Sequence, residues 1–329
     1  MAGSPSEYEV WREEHHARKP ATDHALLADV VRDATGASAA SWTRLVRGEV
    51  NEVYVVTMSS GDDVIVRVSR DERKRFHSER WVLDAARAVG VAVPDVLLVA
   101  EREDGHGPLL VCVESRVAGR ALCDVEDAAT RERIAMLAGE ATARLHGIAI
   151  DGFGAVRVDG TAPAASWARV MQPWMSDAHA AAVEQHADAA AIPRSWLAAA
   201  SRELERHAAD FASVESQLLH GDLSSAHVMT DGVRVTGIID FEQAFAGDPT
   251  FEFVRWNYFY EDSPLEWLIA GYERHSDLGA DVDLRIKLGR LRLHLALIEF
   301  YGVNTHPTAS VKVRRHFAED AEWFGFPAT

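Results

Sequence analysis

The stretch His220-Gly221-Asp222-Leu223-Ser224-Ser225-Ala226-His227 is dense in groups that could do chemistry. It brings two imidazoles, a carboxylate and two hydroxyls into eight residues. An apolar run, Val233 to Ile239, follows and ends in Asp240-Phe241-Glu242. A carboxylate at the end of an apolar strand is costly to bury unless a cation or hydrogen-bond donors meet it. Asp222 and Asp240 stand 18 residues apart around what reads as a β-hairpin. That spacing lets the two acids converge on one point, although each alone reads equally well as an aspartate capping a turn. Arg67, in Val64-Ile65-Val66-Arg67-Val68, poses the same question with the opposite charge. Its guanidinium either meets an anion or runs along a strand edge to water.

The elements that must position these residues change character along the chain. Residues 6–35 read as helical, with Leu26, Leu27, Val30 and Val31 on one face. Trp42 to Val46, Val53 to Met58 and Val64 to Val68 are short β-branched or aromatic runs, separated by Gly48 and by the turn Ser59-Ser60-Gly61-Asp62. Residues 73–89 return to a helical period, which Pro94 stops. Val96 to Ala100 and Leu109 to Val113 read as two more strands. From about residue 125 the pattern is mostly helical, over 125–147, 164–190, 195–215, 249–260, 264–275 and 281–301, with one β interruption at 217–241. The expected fold is α+β: a small lobe over residues 1–115 with a five-stranded antiparallel sheet plus one helix, and a larger helical lobe over 116–329. A hinge is expected near 114–120.

Composition narrows the function classes. The 329 residues are 47% hydrophobic and 26% charged, which fits a soluble globular enzyme and excludes a disordered chain. A net charge of −17 argues against a nucleic-acid partner. No apolar run approaches the ~18 residues of a membrane span. Met1 to Trp11 is polar and acidic, so no signal peptide is expected. Two cysteines, Cys112 and Cys123, are too few for a disulfide framework or a cysteine zinc site. The expectation is a cytoplasmic protein, monomeric, with no membrane partner. The charge is uneven, −3 over residues 1–100 and −14 over 101–329. Either the second part carries a solvated acidic surface or it receives a cation. Glu261 and Asp262 close the expected helix over 249–260, where acids oppose the helix dipole. A cationic ligand or a solvated end accounts for them equally. Phe253, Trp256 and Phe259 in the same run are expected in the core.

His-Gly-Asp, the ligand-type residue five positions after the Asp, and the strand ending Ile239-Asp240-Phe241 closely resemble the catalytic and metal-binding segments of the aminoglycoside phosphotransferase family. These are small-molecule kinases with the protein-kinase fold. Gly247-Asp248-Pro249 and Leu145-His146 match the family's pattern, and Asp151-Gly152-Phe153-Gly154 with Trp167 resembles the hygromycin phosphotransferases. The resemblance implies that Asp222 is the catalytic base and that Asp240 holds Mg²⁺. It implies that His220 supports the loop and that Asp248 hydrogen-bonds the catalytic-loop backbone. It implies that Arg67, paired with Glu79, grips the phosphates of ATP or GTP. Gly48-Glu49-Val50-Asn51 resembles the nucleotide-positioning loop, which an ordinary hairpin would match as well. Glu114-Ser115-Arg116 would be the hinge facing the purine, and Glu242, Glu261 and Asp262 would face the acceptor.

One position departs from the family's usual pattern. His227 stands where most members carry Asn, whereas macrolide phosphotransferases, in the same superfamily, place His there. An imidazole suits Mg²⁺ less well than an amide oxygen, so His227 is expected either in the metal shell or ordering the loop. The implied activity is transfer of a γ-phosphate to a hydroxyl of a small cationic molecule, an aminoglycoside or aminocyclitol first. A macrolide kinase, a kinase for a choline-like metabolite and an idle nucleotide-binding scaffold are the alternatives. The presence of both Asp222 and Asp240 counts against the last.

Overall fold

Strict alternation of side chains builds the first part of the chain. The computed structural model describes residues 10, 14, 21–46, 51–71, 75–174, 176–256, 258–304 and 309–327. Strands β1 (Ala39–Leu45), β2 (Glu52–Met58), β3 (Asp63–Ser69), β4 (Val96–Asp104) and β5 (Gly107–Ser115) form one antiparallel sheet in the order β1-β2-β3-β5-β4. Val64, Val66 and Val68 of β3 point to one face with Val111 and Val113 of β5. There they bury Leu27, Val30 and Val31 of helix α1 (His24–Thr35). The alternate residues point the other way. Leu110 and Cys112 pack on Phe76 of helix α2 (Phe76–Ala88), and Arg67 and Glu114 share that face. Cys112 is buried core, as expected.

The rest is largely helical: α3 (Ala128–His146), a single turn at Trp167–Val170, α4 (Asp177–Ala189), α5 (Arg194–Arg206), α6 (Leu265–Tyr272), α7 (Val282–Asn304) and α8 (Ala309–Trp323). One core holds them together, and Trp167, Phe253, Trp256, Tyr258 and Tyr272 are fully buried in it. Two small sheets lie among the helices. β6 (Arg120–Ala121), β9 (Val228–Thr230) and β10 (Val235–Ile238) make the first. β7 (Gly154–Ala155), β8 (Gln217–Leu219) and β11 (Phe245–Gly247) make the second. Among the described residues no helix is long and apolar enough to cross a membrane.

Four helical expectations are corrected. The run over 6–35 is broken at 21–23, where Asp23 caps α1, and apart from 10 and 14 its residues 6–20 lie outside the described residues. The run over 249–260 is a 3₁₀ helix, Pro249–Val254, followed by turns. Asp248 caps it by accepting from the Thr250 N–H and hydroxyl, and Glu252 is drawn inward to backbone donors of another loop. The run over 164–190 breaks into the turn at 167–170 and α4, and the run over 195–215 ends at Arg206. Helix α8 was not anticipated, although Val313, Phe317 and Ala321 form its buried stripe at four-residue spacing. Phe253 and Trp256 are buried as expected, and Phe259 is half-buried against the core.

Helices α3 and α6 cross with backbone against backbone. A Cβ on Gly139 would lie 2.0 Å from the Leu268 carbonyl oxygen, and one on Gly271 would lie 1.9 Å from that of Met136. Neither obstacle is a side chain that could swing away. Gly139→Ala therefore forces the helices apart, and overpacking of this kind costs about 1–3 kcal/mol. Urea unfolding should show that loss for Gly139→Ala and for Gly271→Ala, whereas Gly105→Ala, with open space around it, should leave the midpoint in place. Equal midpoints for all three would contradict the crossing.

Candidate active site

The loop after β8 owes its path to a glycine and a histidine. Gly221 has φ +80°, and a Cβ there would meet the Gln243 carbonyl oxygen at 2.1 Å, so no other residue fits. His220 donates from Nε2 to the Ile239 carbonyl at 2.9 Å and accepts the Asp222 N–H on Nδ1 at 3.2 Å. Burial depresses its pKa, which keeps the ring neutral and both bonds intact. One imidazole thus joins the start of the loop to the end of β10.

Glu252 fixes the same loop from beneath. Its carboxylate takes the backbone N–H groups of both His220 and Gly221, the latter at 3.0 Å. It is buried, and His146 at the end of α3 lies 3.4 Å from it, with Tyr272 of α6 at 3.1 Å on the other ring nitrogen. Burial would raise the Glu252 pKa, but the bonds from His146 and the loop hold it below the usual range. The expectation gave this backbone role to Asp248. Its carboxylate is occupied instead by Thr250 and by Arg285 of α7, whose Nε donates at 3.0 Å.

Asp222, His227 and Asp240 come together as the hairpin spacing implies. The Asp222 side chain is 34% exposed, and its Oδ1 accepts from Arg255 Nη1 at 2.9 Å. His227 Nδ1 lies 2.7 Å from the Asp222 carbonyl oxygen. A carbonyl only accepts, so Nδ1 carries a proton, and the nitrogen left to offer a lone pair is Nε2. Nε2 lies 3.7 Å from Asp240 Oδ2. Asp240 itself is left-handed, with φ 70° and ψ 57°. Only Ala191 shares a positive φ among the described non-glycine residues. Asp tolerates that conformation better than most residues, and it turns the carboxylate at the end of β10 toward Arg67 and His227. Burial opposes its ionisation, but the Arg67 guanidinium holds its pKa below the usual carboxylate range.

Arg67 crosses from β3 to meet this group. Its guanidinium lies 2.7 Å from Glu79, 2.8 Å from Asp240, 3.2 Å from Glu242 and 3.7 Å from Glu114, and it stacks 4.8 Å over the Phe76 ring. Burial works against its charge, and the four acids more than restore it. Burial pushes Glu79, Glu114 and Glu242 up, against the pull of that one cation. Asn51 Nδ2 donates to Glu242 at 2.6 Å, and Arg75 reaches the Glu242 carbonyl at 3.3 Å and the Gln243 side chain. Glu242, expected at the acceptor, is therefore engaged on the sheet side. The Glu114 side chain turns inward to Arg67, and Arg116 pairs with Asp63.

The remaining candidates divide. Asp262 accepts from Ser225, in the loop that carries Asp222, at 2.9 Å. Exposed Glu261 is bound to Arg315 of α8, which gives it a cation of its own. Gly48 lies outside the described residues. Sequence reasoning missed Glu252, Arg255 and Arg75. Arg255 did carry a signal, as the lone base in the run from Phe251 to Asp262. Among the described residues no three His, Cys, Asp and Glu side chains form a metal cage. Mg²⁺ keeps several waters and binds through one or two side chains plus phosphates. One free oxygen of Asp240 with the Nε2 lone pair of His227 fits that requirement.

Residues 41–282 match the family described as APH, phosphotransferase enzyme family. Hygromycin-B 4-O-kinase of Escherichia coli is 25% identical over 244 residues, covering 68% of this chain. The chain spans 66% of the length of that relative. A thermostable mutant of aminoglycoside phosphotransferase APH(4)-Ia superposes with a TM-score of 0.67 at 21% identity, over 90% of this chain and 98% of its own. The same enzyme is known in a ternary complex with AMP-PNP and hygromycin B. The GDP complex of aminoglycoside 2'-phosphotransferase-IIIa superposes with a TM-score of 0.64 at 18% identity, over 92% of this chain and 98% of its own. The fold is that of these kinases, a five-stranded sheet joined to a larger helical part. With a family match that spans well over half its length, the chain belongs to the phosphotransferase enzyme family.

Proposed function

We propose that the protein transfers the γ-phosphoryl group of ATP or GTP to a hydroxyl of a cationic small molecule, an aminoglycoside or aminocyclitol antibiotic. The observation that carries this reading is that His227 touches both Asp222 and Asp240, with Arg67 reaching Asp240 from the sheet. Asp222 accepts the proton of the acceptor hydroxyl through Oδ2, the oxygen that Arg255 leaves free. The acceptor oxygen forms a bond to the γ-phosphorus as the bond from phosphorus to the β–γ bridging oxygen breaks, and that electron pair leaves with the nucleoside diphosphate. Arg67, held by Glu79, faces the phosphates, and the chain at 114–116 faces the base. Asp240 and His227 would hold Mg²⁺, which supplies positive charge against the phosphate oxygens. On this reading residues up to about 115 carry the nucleotide and the rest carries the acceptor.

The acceptor assignment rests on charge and on relatives. Residues 101–329 carry a net −14, and Asp262 stands beside the catalytic loop. The relatives' names include hygromycin B and aminoglycosides. A macrolide acceptor is the second reading, favoured by the imidazole of His227. A nucleotide-consumption screen with hygromycin B, kanamycin, a macrolide and choline, each with ATP and with GTP, decides between them.

Asp222→Asn should fold and bind nucleotide yet lose about 10²–10⁴-fold in kcat. Steady-state kinetics beside a thermal melt measure both, and turnover within about tenfold of wild type would remove Asp222 from the role of base. Asp240→Ala should abolish transfer. His227→Ala should weaken it in a way that raised Mg²⁺ partly restores, and His227→Asn should be tolerated because an amide oxygen suits Mg²⁺ better. A Mg²⁺ titration of kcat in the three variants checks the ranking. If His227→Asn proves as inactive as Asp240→Ala, the metal role assigned to His227 fails. For a polycationic acceptor, KM should rise steeply from about 50 to 500 mM salt as screening shortens the Debye length from well above to below ~8 Å. A salt-independent KM for the best acceptor points to a neutral substrate.

A further inference from the structure

The residue beside Asp222 is as firmly placed as Asp222 itself. Arg255 follows the 3₁₀ helix Pro249–Val254, and its neighbours Val254 and Trp256 are fully buried. Its carbonyl accepts the Tyr258 N–H at 3.1 Å. The backbone from which the guanidinium extends is thus fixed by core packing and by the Asp248 cap. From there Nη1 donates to Asp222 Oδ1 at 2.9 Å, with the arginine side chain 28% exposed. Asp222 is held at three further points, by His220 on its N–H, by His227 on its carbonyl and by the Glu252 grip on the two preceding residues. The first two fix its backbone, and the third fixes the loop that leads to it. Among the described residues Arg255 alone makes a hydrogen bond or ion pair to the carboxylate, and so it is the contact that selects the rotamer.

We propose that Arg255 is a positioning residue for phosphoryl transfer. It clamps Oδ1, leaves Oδ2 as the one oxygen aimed at the acceptor hydroxyl, and sets a positive charge beside the reacting group. The inference rests on the reading of Asp222 as the base. Its chemistry adds a constraint on the acceptor. A guanidinium this close to the base repels an ammonium on a carbon next to the reacting hydroxyl, so the amines of the acceptor must lie away from the phosphorylated position, toward Asp262. The clamp also explains why a single base persists in a run of aromatic and acidic residues where a purely electrostatic cation trap would exclude it.

The test compares Arg255→Ala, Arg255→Lys and Asp222→Asn, with hygromycin B as the acceptor and ATP as the donor. A carboxylate freed to rotate misplaces the base by an ångström or so, and such a displacement can cost 10²-fold. Arg255→Ala should therefore keep the wild-type melting midpoint and the KM for ATP and lose about 10²-fold in kcat. Arg255→Lys should recover part of that loss, and free guanidinium ion in the tens of millimolar should raise kcat of Arg255→Ala but not of Asp222→Asn. Wild-type kcat in Arg255→Ala alongside a dead Asp222→Asn would overturn the clamp and leave the base in place. Wild-type kcat in both would overturn the base itself. A loss in Arg255→Ala that tracks a lowered melting midpoint, with no rescue by lysine or guanidinium, would mean that Arg255 only supports the fold.

Discussion

A single buried guanidinium holds the site in its present form. Arg67 stands on a central strand of the sheet and is the cation shared by Glu79, Glu114, Asp240 and Glu242. Two of those acids belong to the sheet and its helix, and two to the segment after β10. The attraction that keeps Arg67 charged is therefore the same attraction that draws the segment after β10 onto the sheet. Buried charges are tolerated only when paired in this way. Every element that supplies an acid has its position constrained by the need to reach one point: α2 by Glu79, β5 by Glu114, the left-handed Asp240 by its own carboxylate. Asn51 and Arg75 reinforce the arrangement through Glu242 and Gln243.

The loop that carries Asp222 depends on a second chain of contacts, one that begins in the helix packing. Gly139 and Gly271 let α3 and α6 touch, which sets the ends of both helices side by side. His146 and Tyr272 stand at those ends and meet. His146 then orients Glu252, and Glu252 collects the N–H groups of His220 and Gly221. Each link is buried, and each polar atom in it has a partner chosen by the next. A hydrogen-bond network is strong when it is fully satisfied in this way.

Much of this was legible in the sequence, and the boundary has physical causes. The five strands, α2 and the β interruption could be read because their periods are simple and their turns carry Gly, Pro or Asp. Asp222 and Asp240 could be read because two acids at that spacing flank a hairpin, and His227 followed from the resemblance to the phosphotransferases. Arg67 with Glu79 could be read because a base inside an apolar strand demands an anion. Glu252 could not, because a glutamate among aromatic residues looks like any surface acid until the fold turns it inward. The role given to Asp248 failed for a related reason: a buried aspartate before Pro249 satisfies local donors first. The 3₁₀ helix was mistaken for an α-helix because its apolar residues also recur every three or four positions. Helix α8 went unread because its stripe is short and heavily interrupted by charge.

The glycine crossing has a consequence for how such a protein can change. The parts that hold the reacting groups are anchored to backbone contact and to buried polar atoms, where almost any replacement is penalised. The side proposed to face the acceptor is built from other material. Glu261 and Arg315 are exposed and pair with each other, Arg315 also reaching Glu319 and His316, and Tyr260 stands partly in water. Exchanges there leave the core packing and the loop geometry untouched. The molecule is thus divided into a chassis that resists substitution and a rim that accepts it, so that a new acceptor can be recruited by drift at the rim without rebuilding the machinery behind it.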